Sequence, residues 1–408
     1  MSAPSGVWPS VALCLLLAFA LRAADLPLAG ESGSAPIIIP NQADPITREA
    51  AAWLGAGLKK SAGVAFRVLS EREASGGGTR IWVGRSADVN RRAGHRLDAL
   101  PPDAFLICVE GESVTLAGRD PRGDRNAVVE FLRRHVGLEA YMPGSLWEVV
   151  PRRNAPSVPE GEAVVAPGIP SRAANGMNSG PCAGLNARWA GLHGFASRYD
   201  LDPAAGRLLR PERYADRPEV FALVGGRRDP PRSGSDGGWQ LCMTSPVVLD
   251  EYALAASGRF AAGEAPPALP VTPNAGGGFC ECPRCRALSD DTAPPQARRS
   301  RLVLHFANEV ARRLARDGTT RRAVLKAEGE WADPAPGVSV EPNVVVFVEG
   351  ADGLGGVAAR EALRDRLRRW RAAGARHLGI HQRARGDALV APFMPLDGLA
   401  AEIRLARE

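Results

Sequence analysis

The 408-residue sequence predicts an α/β protein in two parts, a small first domain and a larger one built on a parallel sheet or barrel. Three observations lead there. Strand-like and helix-like segments alternate from Ile37 to Gly144. A stretch with five prolines then breaks the periodicity between 150 and 172. Beyond it, four short apolar runs each end in polar residues.

In the first domain, Ile37–Ile39 is a buried-strand run. Ala50, Trp53, Leu54 and Leu58 then fall at helical spacing in a segment ending near Gly63. Phe66–Leu69 and Ile81–Gly84 follow as strands. Phe105–Val109 and Val114–Leu116 flank Glu110-Gly111-Glu112-Ser113, a hairpin signal. Arg125–His135 is a helix with Val128, Phe131, Leu132 and Val136 on one face and Gly137 as its stop. Cys108 lies in a strand, as a small core residue. Residues 35–149 therefore form a compact α/β domain, and 150–172 read as a linker.

The second domain, 173–408, begins loosely, with aromatic anchors at Trp189, Tyr199, Tyr214, Phe221 and Trp239 that favour ordered loops. Four beats come after. Leu269–Thr272 leads to Asn274, Ala323–Ala327 to Glu328 and Glu330, Asn343–Val348 to Glu349, and His377–Ile380 to His381. Leu302, Phe306, Val310 and Leu314 form one helical stripe between them, and Ala359, Leu363, Leu367 and Trp370 another. The arginines of the latter helix read as its solvated face. In a barrel, residues just past the strand ends converge on one face, where active sites are built. About 240 residues remain beyond Ile169, close to the ~250 of a usual barrel, but long loops consume many of them. Four clear strands separated by helices and loops indicate a parallel α/β sheet or barrel.

Val11–Leu21 is an apolar run of signal-peptide length, too short to span a bilayer, with Ala18-Phe19-Ala20 or Leu21-Arg22-Ala23 as cleavage site. Residues 1–23 read as an export signal, and the mature chain as secreted or periplasmic in a bacterium, with no membrane attachment once the signal is removed. Loss of Cys14 leaves six cysteines: Cys108, Cys182, Cys242, Cys280, Cys282 and Cys285. The last three stand as Cys-x-Cys-x-x-Cys after Gly276-Gly277-Gly278, a density that calls for a metal knuckle, a disulfide knot or a reactive centre. Zinc would use these three with Cys242 as fourth ligand. Disulfides, for example from Cys242 or Cys182 to this loop, suit an exported chain better. In either case the sulfurs brace a loop, and no cofactor is required for the chemistry.

Charged residues make up 24% of the chain and hydrophobic ones 45%, ordinary globular values, with a net charge of +6. Only Lys59, Lys60 and Lys326 are lysines. The arginines are spread along the chain without a basic stripe, which argues against a nucleic-acid partner.

Four stretches together resemble one family: Gly118–Leu132 with Tyr141–Gly144, Arg213–Arg227, Trp239–Pro246 with its Trp-Gln-Leu-Cys core, and Val271–Leu288. They are similar to domain-of-unknown-function family 4838, exported bacterial proteins distantly similar to α-glucuronidases and other glycoside hydrolases. The resemblance covers most of residues 35–350. It implies an accessory α/β domain like that preceding several glycosidase barrels, then a (β/α)8-type, TIM-like barrel acting on complex carbohydrate, with uronic-acid-containing glycans among the candidates. Four clear strands are too few to close that ring towards the C terminus. Three departures stand out. Ala275 replaces an Asp usual after Asn274, Arg217 replaces a His, and relatives continue past Glu408.

Glycoside hydrolysis ordinarily uses two carboxyl groups, one as acid and one as base or nucleophile. Glu328, Glu330 and Glu349 stand where such groups belong, with Trp331 beside them as a sugar-stacking face. Asn274, Trp239, Gln240, His381 and His193 are the candidate substrate contacts. Ala275, unable to do acid–base work, leaves open a non-catalytic carbohydrate-binding or scaffold protein on a degenerate barrel.

Overall fold

A computed structural model describes residues 25–30, 33–173, 182–231, 238–261, 268–316, 321–350, 356–382, 401 and 403–405. The expected export signal, with Cys14, lies outside the described residues. The chain forms two compact units. One comprises residues up to 167 together with 174–194, the other 168–173 together with 195 onward.

The first unit contains β1 (Ile37–Ile39), α1 (Pro45–Ala62), β2 (Val68–Ser70), β3 (Arg80–Val83), α2 (Ala87–Asp98), β4 (Phe105–Glu110), β5 (Ser113–Gly118), α3 (Pro121–Phe131), β6 (Gly161–Val165) and α4 (Ala183–Leu192). Its six-stranded mixed sheet has the order β6-β4-β5-β3-β1-β2. Strand alternation sends Ile37, Ile81 and Val83 to the face covered by Trp53, Leu54 and Leu58 of α1 and Val128 and Phe131 of α3. Ile38 and Trp82 go to the other face, under Val89, Ala93 and Leu97 of α2. Cys108 in β4 is half-buried at the margin of this second cluster, and burial pushes its thiol up.

The stretch expected to be linker supplies β6, which pairs antiparallel with β4 from Gly161↔Val109 to Val165↔Phe105. As a mostly exposed edge strand it carries no apolar alternation, so sequence pattern alone does not reveal it. Residues 183–192, assigned from the sequence to the loose start of the second domain, form helix α4 and group with the first unit.

The turn from β5 into α3 explains the Gly118–Asp124 motif. Asp120 caps α3 by accepting from the Gly123 N–H at 2.9 Å and also accepts from the Asp103 N–H at 3.0 Å. Asp124, inside the helix, accepts from the Gly118 N–H and the Thr47 hydroxyl, each at 2.7 Å. A Cβ on Gly118 would lie 2.3 Å from the Gly123 carbonyl carbon, so only glycine lets the two backbones touch.

The second unit contains α5 (Pro246–Ala261), β7 (Ala268–Pro270), α6 (Pro283–Ala287), α7 (Ser300–Ala315), β8 (Arg322–Ala327), β9 (Val344–Glu349), α8 (Val357–Ala372) and β10 (His377–His381). The four strands form one all-parallel sheet, β7-β8-β9-β10, as the four beats of the sequence predict. Helix α7 lies between β7 and β8 and α8 between β9 and β10, whereas β8 reaches β9 through residues 328–343, whose helical element is a 3-10 turn at Gly329–Trp331. No closed barrel forms among the described residues.

One face of this sheet is thickly covered. Ala323, Leu325 and Ala327 of β8 and Val344, Val346 and Val348 of β9 pack with Leu302, Phe306 and Val310 of α7 and Leu363 and Trp370 of α8. The Trp370 indole N–H donates to the Ala332 carbonyl at 2.9 Å, and the buried Tyr252 hydroxyl of α5 donates to the Pro270 carbonyl at 2.6 Å. The arginines of α8 are not all solvent-facing. Arg366 and Arg369 both engage Asp333, at 2.8 and 3.2 Å. No described helix is long and apolar enough to cross a membrane.

Candidate functional site

Among the described residues the opposite face of the parallel sheet carries a small apolar cluster, Ala268, Val324 and Val345 with Tyr199, Leu201 and Phe347. Tyr199 meets Phe347 edge-on at 5.4 Å, and its hydroxyl accepts from Arg322 at 3.2 Å. Alternation then sets which side chains share this face along each strand. After Val324 come Lys326 and, in extended backbone, Glu328. After Val345 come Phe347 and Glu349. Register pairs Phe347 with Gly379 and Glu349 with His381. The C-terminal edge of this face thus gathers Lys326, Glu328, Glu349 and His381 on three adjacent strands. Further down, His377 pairs with Val345, and burial, helped by Arg322 and Arg376, holds its imidazole below the ordinary range.

Lys326 is the member that sequence reasoning misses. Its ammonium lies 3.1 Å from Glu328 Oε1, with both side chains largely buried. The available signal was a lone lysine interrupting an otherwise apolar strand in a chain with only three lysines.

Glu330 lies beyond this edge, in the single 3-10 turn Gly329–Trp331. Its side chain is 40% exposed and faces Arg299 at 3.9 Å. Trp331 is buried. Its indole N–H donates to the Lys326 carbonyl at 2.8 Å, and its ring meets Phe279 edge-on at 5.7 Å, so it braces the turn from within.

After β7 the chain enters the glycine-rich loop, where Gly276 and Gly278 adopt φ of 98° and 81°, values that favour glycine. Gln240 is 2% exposed. Its Nε2 donates to the Asn274 carbonyl at 2.7 Å, and its Oε1 accepts from the Asn274 N–H at 3.2 Å. Asn274 Nδ2 donates to the Trp239 carbonyl at 3.0 Å. The Trp239 ring is buried edge-on to Phe221 at 6.0 Å. Trp239 and Gln240 therefore hold the loop, and Ala275 next to Asn274 is exposed. His193 belongs to the first unit, where its Nε2 contacts the Ala140 carbonyl at 2.7 Å and its ring lies 4.5 Å from Trp189. Arg217 stacks over Tyr214 at 5.8 Å and pairs with Glu219 at 3.5 Å.

The same loop brings its three cysteines to Cys242. All four thiols are buried, and their sulfurs lie within 4.8 Å of one another. Cys242 Sγ stands 3.7 Å from Cys280, 3.9 Å from Cys282 and 4.0 Å from Cys285. Hydrogen bonds from Cys280 and Cys285 favour the thiolate of Cys242, and the same bonds push the thiols of Cys280 and Cys285 up. Among the described residues no two sulfurs are bonded, and Cys182 is exposed in the first unit.

No curated protein sequence matches the chain. Among solved structures it is similar to a β-N-acetylhexosaminidase from Bacteroides fragilis, at 13% identity and TM-score 0.41, covering 86% of this chain and 72% of that one. A family GH20 β-N-acetylhexosaminidase from Streptomyces coelicolor A3(2) is similar at 14% identity and TM-score 0.41, covering 88% and 73%. A family GH115 4-O-methyl-α-glucuronidase, described as specific for decorated arabinogalactans, is similar at 13% identity and TM-score 0.47, covering 94% of this chain and 56% of that one. The family model described as "Domain of unknown function (DUF4838)" matches residues 142–371, a span that leaves out the Gly118–Leu132 motif and β10 with His381 but holds β7 to β9, the cysteine loop, Glu328 and Glu349. Since that span is more than half of the chain, the protein belongs to the DUF4838 family.

Proposed function

We propose that the second unit is part of a glycosidase-type barrel acting on complex, uronic-acid-containing carbohydrate, with Glu328 and Glu349 as its carboxyl pair. The observation that carries this reading is the edge itself, where Glu328, Glu349 and His381 end neighbouring parallel strands on the face away from the helices. Adjacent strands are about 4.8 Å apart, which puts two carboxyl groups within the span of one glycosidic bond. In this reading one carboxyl protonates the leaving oxygen and the other acts as nucleophile or base. His381 and the side chain of Asn274 contact the sugar. Glu330, more exposed and beyond the edge, is the third carboxylate. The protein acts after export, with residues 1–23 removed.

The test is a panel of uronic-acid-containing glycans and matching aryl glycosides, assayed with Glu328→Gln and Glu349→Gln. Loss of glycan turnover in both variants is expected. Aryl glycosides with good leaving groups need little protonation, so the acid variant retains activity on them while the other loses it. Unchanged turnover in both variants removes the pair as catalysts. A second reading, carbohydrate binding without hydrolysis, is favoured by Ala275, which is exposed where the resemblance expects an acid. Retention on the same glycans with no cleavage by the native chain selects it.

A further inference from the structure

We infer that Cys242, Cys280, Cys282 and Cys285 bind a structural zinc ion. The inference is independent of the carbohydrate reading. Four points on a tetrahedron with zinc–sulfur bonds of ~2.3 Å are about 3.8 Å apart. The three separations from Cys242, 3.7, 3.9 and 4.0 Å, fall on that value. A disulfide would instead draw one pair to about 2.05 Å and push the others away, but no pair here is singled out.

The surroundings suit thiolates. The Leu223 N–H donates to Cys280 Sγ at 3.3 Å. The Thr244 hydroxyl lies 3.2 Å from Cys285 Sγ, and the Arg228 guanidinium is 4.0 Å from Cys280. Four thiolates around one divalent ion leave a net charge of about −2, and these donors, with one arginine, stabilise that charge. Four buried protein ligands leave no open position for substrate or water, so the ion is structural. It ties the glycine-rich loop after β7 to the segment that follows Trp239 and Gln240.

The experiment uses the full chain purified without added metal or chelator. Elemental analysis is expected to find one zinc per chain. Thiol titration in denaturant with chelator should find all four cluster cysteines reduced. Replacement by cobalt(II) should give the visible bands of a tetrahedral tetrathiolate. Cys285→Ser and Cys242→Ser should each lose the metal. If those variants fail to fold, the native-chain stoichiometry and the cobalt spectrum still decide. Iron as the bound metal, or a metal-free chain whose peptide map shows these cysteines disulfide-linked, overturns the assignment.

Discussion

The side chain of Gln240 grips the backbone of Asn274 at both of its polar groups, donating to the carbonyl at 2.7 Å and accepting from the N–H at 3.2 Å. Thirty-four residues separate them in sequence. Two backbone groups of the glycine-rich loop are thereby satisfied by one buried amide. Gln240→Leu removes both partners at once, and a buried group left unpaired costs roughly 1–3 kcal/mol. We expect a fall in stability of that size by chemical denaturation. Gln240→Glu should be at least as damaging, since it keeps the acceptor, deletes the donor and brings a carboxylate to the Asn274 carbonyl. A glutamate variant as stable as the native chain would contradict the bidentate grip.

A second expectation concerns pH and the first unit. Burial pushes the Asp124 carboxyl from 3.8 up to about 6, against the lowering effects of the Gly118 N–H and the Thr47 hydroxyl. The native state thus holds the proton more tightly than the unfolded chain does. The stabilisation is complete below the unfolded value, declines as pH rises through about 6, and stays lost above it. Asp124→Asn cannot ionise, so relative to the native chain it should gain roughly 1–3 kcal/mol between about pH 4 and pH 7. Paired melts across that range measure it. A constant difference would show that Asp124 does not titrate there.

The backbone contact at the head of α3 makes a steric prediction. Gly118→Ala places a methyl 2.3 Å from a carbonyl carbon and 2.5 Å from the Asp124 nitrogen, where neither strand nor helix can yield cheaply. We expect a loss of about 3 kcal/mol, the upper end for overpacking. Gly184→Ala is the control. It lies in helix α4 with nothing within 4 Å of the new Cβ, and should be neutral or stabilising by about 0.5–1 kcal/mol.

The Lys326–Glu328 pair should be energetically coupled, because both side chains are mostly removed from solvent. A double-mutant cycle of Lys326→Met and Glu328→Gln is expected to give a coupling on the order of 1 kcal/mol, more than most exposed ion pairs provide. Additive effects would mean that the two groups are independent despite their 3.1 Å separation.

Much of this was legible in the sequence because it is local. The four strands of the second unit are apolar runs with polar ends, and the structure places them at 268–270, 322–327, 344–349 and 377–381. The Cys-x-Cys-x-x-Cys spacing and the choice of Cys242 as the fourth residue were readable too. What escaped is long-range or unpatterned. β6 is an exposed edge without alternation. Helix α2 has only Val89, Ala93 and Leu97 on its apolar stripe, behind a Ser86 cap. The engagement of Gln240 with Asn274 depends on two loops meeting, which no periodicity encodes. Gln240 and Trp239 have the residue types of sugar contacts, and burial makes them loop anchors instead. Lys326 reads as strand noise until register sets it beside Glu328.

The segment after Trp239 and the loop after β7 touch twice, through an amide at Asn274 and through sulfur at Cys242. The two fastenings fail under different conditions, since acid or oxidation attacks thiolates while leaving an amide intact. Neither loop can peel away while the other fastening holds. Their amide protons should therefore exchange with solvent as one cooperative block, and a protease should find both loops cleavable or neither.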